Sequence, residues 1–180
     1  MTEGALNSAM IVDDHPLFCD ALSMTLRASM GIEHVVTAGT LEEALDHLAR
    51  ATAPDVILLD LNLPDVHGLE GLVRLVKSSA ETPVIIVSSE TEPRVVRSAI
   101  RVGAAGYVPK HSSRDTFRLA LTQIMRGEVY APEVALSHQS ANAPLTARED
   151  ALVRISHLTR QQARILQLIC AGQMNKQIAY

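Results

Sequence analysis

Five short aliphatic runs recur along the first 110 positions, and each is followed by a segment with helical spacing. The runs are Ala9–Asp13 (AMIVD), His34–Ala38 (HVVTA), Asp55–Asp60 (DVILLD), Pro83–Ser88 (PVIIVS) and Gly106–Lys110 (GYVPK). Their length and their β-branched residues predict strands. In the intervening segments apolar residues return at i, i+3 and i+4, which puts them on one face of a helix. These sets are Phe18, Leu22, Leu26; Leu41, Ala44, Leu45, Leu48; Leu69, Leu72, Val73, Val76; Val95, Val96, Ala99, Ile100; and Phe117, Leu121, Ile124. Pro16 suits a first helical turn, Thr40 an N-cap, and Gly31, Gly103 and Gly127 helix ends. Five βα units in succession predict an α/β fold, a doubly wound five-stranded parallel sheet with helices on both faces. The unbroken aliphatic runs of the third and fourth strands fit burial from both sides.

Beyond residue 130 the pattern changes. Residues 131–157 are small, polar and Pro-containing at first and read as a linker, with AREDALVRIS able to form a short helix. From Leu158 a new apolar period begins (Ile165, Leu166, Ile169), stops at Gly172, and is followed by NKQIAY. The chain therefore divides into 1–130, a linker of 131–157, and a small segment of 158–180.

Composition narrows this picture in three ways. Hydrophobic residues make up 47% and aromatic residues only 3%, with no Trp, so the core must be aliphatic. Residues 1–144 carry 11 Lys/Arg against 18 Asp/Glu, whereas residues 145–180 carry 5 against 2, so an acidic module precedes a basic one. Cys19 and Cys170 both sit in apolar-periodic segments and read as buried reduced thiols, without metal-ligand spacing. No signal peptide and no apolar run of membrane-spanning length is present, so a cytoplasmic location without membrane partners is expected.

The chemistry gathers at strand ends, where open parallel sheets place functional groups. The first strand runs into Asp13 and Asp14, and the third into Asp60. One carboxylate at a strand end is as readily a cap or turn residue. Three together repel, and a bound cation is the simplest compensation. Oxygen donors of this kind suit Mg²⁺. Ser88 and Lys110 close two further strands and offer a hydroxyl and an ammonium, although taken alone each reads more readily as a strand-end cap or a surface lysine. Around one carboxylate, this set can stabilise charge on a transferring phosphoryl group with Asp60 as nucleophile.

Taken in order and spacing, IVDDHPLF, LLDLNLPDVHG, VIIVSSE and GAAGYVPK resemble the receiver domain of two-component response regulators of the NarL/FixJ type. LTRQQARILQLICAGQMNKQIA resembles the first part of that family's LuxR-type helix-turn-helix. The resemblance implies a flavodoxin-like receiver over 1–130 and an incomplete DNA-binding helix-turn-helix over 158–180. It makes Asp60 the phosphoacceptor, with the phosphoryl group supplied by a sensor histidine kinase. Mg²⁺ is then held by Asp13 (through water), Asp14, Asp60 and the backbone carbonyl of Asn62. Ser88 and Lys110 contact the phosphoryl group, Tyr107 is the aromatic switch, and Asn62 and Glu90 tune self-dephosphorylation. The implied output is homodimerisation on phosphorylation and DNA binding by the full-length parent. Within this chain only the Asn175 and Lys176 region would contribute to DNA contact, because Tyr180 precedes the recognition helix.

Two departures stand out: His67 replaces the usual Asp or Asn before Gly68, and Met174 replaces a Ser or Thr cap. Two other functions compete. An aspartyl-nucleophile phosphohydrolase needs a proton donor where Asn62 stands, so no turnover of external substrates is expected. A stand-alone receiver that docks a protein partner without touching DNA is opposed by the basic segment from Leu158. A dinucleotide-binding domain is excluded because VDDHPLFCD has no glycine at the first strand–helix turn.

Overall fold

The computed structural model describes residues 6–79, 82–132 and 146–156, with isolated positions 158, 162, 165, 166 and 169. The expectations for Cys170, Met174, Asn175, Lys176 and Tyr180, and for residues 133–145, fall outside the described residues.

Alternation of apolar and helical segments becomes a regular βα succession: β1 (Ser8–Val12), α1 (Pro16–Met30), β2 (His34–Ala38), α2 (Leu41–Arg50) and β3 (Val56–Leu59). A small hairpin follows, β4 (Asn62–Leu63) and β5 (Val66–His67), then α3 (Glu70–Ser78), β6 (Val84–Ser88), α4 (Pro93–Val102), β7 (Gly106–Pro109) and α5 (Arg114–Met125). The main sheet is parallel in the order β2-β1-β3-β6-β7. The doubly wound α/β expectation is met.

Strand periodicity of two divides the core into two layers. Met10, Val12, Ile57, Leu59, Val84, Ile86 and Tyr107 point to the side covered by α2, α3 and α4. Ala9, Ile11, Val56, Leu58, Ile85, Val87 and Val108 point to the side covered by α1 and α5. Every residue of β3 and β6 is buried, as their unbroken aliphatic runs require. Pro16 opens α1 and Gly31 ends it at φ 70°. The Thr40 side chain caps α2 by accepting from Glu43 N. Gly103 ends α4 at φ 117°, a backbone setting that a side chain would strain.

Three strands stop one residue short of the sequence expectation. Asp13, Asp60 and Lys110 lie just past β1, β3 and β7, yet each is still held by its main chain. Asp13 N donates to Ala38 O at 3.0 Å, Asp60 N to Val12 O at 2.9 Å, and Lys110 N to Ser88 O at 2.9 Å. The functional side chains thus sit at the rim of the sheet on anchored backbone.

AREDALVRIS does form a helix, α6 (Ala147–Ser156), and it packs on α3 and α4. Leu152, Val153 and Ile155 rest on the α2–α3–α4 layer, and Lys77 of α3 donates to the Ile155 carbonyl oxygen. Burial pulls the Lys77 ammonium below its ordinary pKa. Among the described residues, no helix is long and apolar enough to cross a membrane.

Candidate phosphoacceptor site

The strand order reverses between β1 and β3, since β1 connects to β2 on one side and β3 lies on the other. A crevice opens at such a switch beyond the carboxyl ends of the strands. Asp13 and Asp60 project there from adjacent strands, with Asp14 beside them. Asp60 is only 3% exposed and Asp13 4%, whereas Asp14 faces solvent.

Lys110 reaches across from β7. Its Nζ lies 2.7 Å from Asp13 Oδ2 and 2.8 Å from Asp60 Oδ2, so one ammonium bridges both buried carboxylates. Burial disfavours the ammonium, but the hydrogen bonds and charges of Asp13 and Asp60 outweigh it and raise its pKa. Lys110 therefore stays cationic. Its Nζ also stands 4.7 Å from the centroid of the Phe18 ring, which adds a cation–π contact from α1.

One ammonium does not neutralise three carboxylates. Asp60 Oδ1 is buried without a hydrogen-bond partner. An acceptor orphaned in that way is costly unless something else binds it. Ligand atoms of Asp13, Asp14, His15 and Asp60 all lie within 4.8 Å of one another. A divalent cation fits this donor set by charge and by the unused oxygen. Beside it, a cleft of ≈ 280 Å³ is lined by Asp14, Asn62, Pro64 and His67. Asn62 of the hairpin thus shares this cleft with Asp14. His67, where an Asp or Asn is usual, is exposed and pairs with Asn62 across the two-stranded ladder.

Ser88 is fully buried at the end of β6, and its Oγ accepts from Glu90 N at 3.3 Å. Tyr107 beside it is likewise fully buried, its ring 0% exposed. Its hydroxyl donates to the Glu90 carbonyl oxygen at 2.6 Å and also hydrogen-bonds Ser88. Burial is the main reason its pKa is pushed up to about 12, with a Ser88 hydrogen bond opposing and the Glu90 and Asp60 charges adding. Two neighbours escaped the sequence reading. His15 directly follows the acid pair and contacts both members; adjacency was the available signal. Phe18 was assigned to the α1 core face, and nothing in its spacing points to Lys110.

The response regulator receiver domain family matches residues 9–122. The glycerol metabolism activator of Pseudomonas putida is 37% identical over 174 residues, covering 95% of this chain and 79% of that protein. The nitrate/nitrite response regulator protein NarL of Escherichia coli K12 is 32% identical, covering 94% of this chain and 78% of that protein. A crystal structure of a LuxR family DNA-binding response regulator from Silicibacter pomeroyi superposes with a TM-score of 0.64 at 30% identity. That likeness covers 72% of this chain and 99% of the other.

Proposed function

Because the chain belongs to the response regulator receiver family, among its LuxR/NarL-type members, we propose that it is a transcription regulator switched by phosphorylation of Asp60. The observation that carries this reading is the state of the Asp60 carboxylate. One oxygen is held by Lys110 and the other is buried with no partner. Its donor is a phosphohistidine on a sensor histidine kinase. An Asp60 oxygen attacks phosphorus; as the O–P bond forms, the N–P bond breaks and its electron pair stays on the kinase imidazole.

Lys110, already 2.8 Å from Asp60, follows the negative charge onto the phosphoryl oxygens. The buried Ser88 hydroxyl is the second donor to them. Asp13, Asp14 and Asp60, with the backbone carbonyl of Asn62, would hold Mg²⁺. When bound, the ion supplies positive charge against the phosphoryl oxygens. Asn62 and Glu90 flank the acceptor and tune the lifetime of the acyl phosphate. No side chain at the site is assigned as a general acid for external substrates, so the chemistry stops at self-phosphorylation and self-dephosphorylation.

Residues 1–130 act as the receiver, 131–157 as the connection and 158–180 as part of the DNA-binding output, with homodimerisation on phosphorylation. The test is incubation with Mg²⁺ and a small phosphodonor, read by intact mass. Wild-type protein should gain one phosphoryl group, and Asp60→Asn none while keeping its circular dichroism spectrum. Equal labelling of the two would overturn the assignment.

A further inference from the structure

We propose that Phe18 is a positioning residue for phosphoryl transfer to Asp60, its ring face holding the Lys110 ammonium desolvated beside the acceptor. This rests on the reading of Asp60 as the phosphoacceptor. Lys110 Nζ lies 2.7 Å from Asp13 Oδ2 and 2.8 Å from Asp60 Oδ2, which uses two of its three N–H donors. The same nitrogen stands over the Phe18 ring, 4.7 Å from its centroid. A ring face attracts an ammonium electrostatically, without the narrow angular demand of a hydrogen bond. The contact therefore persists as Lys110 follows charge from the Asp60 carboxylate to the phosphoryl oxygens, a move that breaks its bond to Asp60.

The start of α1 fixes the ring in place. Pro16 opens the helix, and Phe18 N and Cys19 N both donate to the His15 carbonyl oxygen, at 3.0 and 3.1 Å. Cys19 Sγ donates to the Asp13 carbonyl oxygen at 3.4 Å, which ties this turn to the end of β1. Lys110 is anchored on its side by its main-chain bond to Ser88. Solvent comes close to the pair. A cleft of ≈ 270 Å³ between α1 and the turn from β7 to α5 is lined by Phe18, Thr25, Lys110, Ser113 and Phe117. The Lys110 side chain is nevertheless only 13% exposed. A smaller side chain in place of the ring extends that cleft toward the ammonium. A hydrated ammonium is a weaker partner for charge developing on the phosphoryl group.

The experiment follows labelling of the full chain by acetyl phosphate with Mg²⁺, read by intact mass over time and over donor concentration. Phe18→Leu keeps an apolar side chain and loses the ring. Site-specific mono-, di- and trifluorination of the Phe18 ring keeps its shape and withdraws negative charge from its face step by step. The maximal labelling rate should fall about tenfold in Phe18→Leu, the scale of a desolvated cation–π contact. It should fall stepwise along the fluorinated series, with the half-saturating donor concentration unchanged. The Lys110 ε-methylene protons should show an upfield ring-current shift in wild type and lose it in Phe18→Leu. A flat fluorinated series means that the ring acts by packing alone and overturns the proposal, whether or not Phe18→Leu folds. Lys110 resonances unmoved by loss of the ring overturn it too, and in both cases Asp60 stands as the acceptor. Failure of wild type to take up label overturns both the proposal and the reading beneath it.

Discussion

Tyr107 shows how much a single hydroxyl can set. Its ring fills the core under the phosphoacceptor rim, and its O–H satisfies the Glu90 carbonyl just before α4. Removing the hydroxyl by Tyr107→Phe should cost about 1 kcal/mol at neutral pH, measured by urea denaturation, because a hydrogen bond is lost in a buried place. The pH dependence has a definite sign. A phenol whose folded pKa is raised to about 12 contributes stability in full below the unfolded value near 10. That contribution is lost as pH rises toward 12, so the wild-type advantage over Tyr107→Phe should shrink across that window. An advantage constant from pH 9 to 12 would contradict the buried hydrogen bond. At this scale, Asp13, Asp60 and Lys110 were legible because each ends an aliphatic run. The inward pose of Tyr107 was not, since it depends on which carbonyl lies within reach.

Among the elements, the β4–β5 hairpin links the site to α2. Asp65 in its turn accepts from Leu41 N and Glu42 N, both at 3.0 Å, and so caps a helix remote in sequence. Burial opposes the Asp65 carboxylate, but these main-chain amides, aided by Arg74, bring its pKa below the ordinary range. A depressed carboxylate stabilises the fold above the unfolded value of about 3.9, and the effect disappears as pH falls through the folded value. Asp65→Ala should therefore lose about 1 kcal/mol at pH 7, as for other lost caps. The difference between the two proteins should close in strong acid. Thermal melts at pH 7 and pH 2.5 check this, and a gap of the same size at both would rule out the charge-assisted cap. Helices and long strands were legible from periodicity and punctuation. Two-residue strands are too short to have a period, and Asp65 reads locally as an ordinary turn residue after Pro64.

For the molecule as a whole, α6 is the part whose place depends on everything else. Its apolar residues Leu152, Val153 and Ile155 gain their burial from α3 and α4, and its Ile155 carbonyl oxygen accepts a hydrogen bond from Lys77. A half-buried aliphatic side chain contributes about 1 kcal/mol, so Val153→Asp should undock the helix while the sheet stays folded. Hydrogen exchange of α6 amides should speed by about tenfold, with β1 and β3 amides unchanged. Unaltered exchange in α6 would mean that the contact contributes nothing to its order.

By itself the sequence determined the layers, the order of the elements and the acids at the strand ends. Those follow from local periodicity and from the need to bury unbroken aliphatic runs on both faces. Tertiary structure alone decided which groups meet. Lys110 bridges Asp13 and Asp60 because β1, β3 and β7 bring their ends to one rim. His15 faces two acids because Pro16 and the start of α1 aim it there. The docking of α6 likewise lies beyond any local pattern, because its polar and apolar residues become distinct only against the surface formed by α3 and α4.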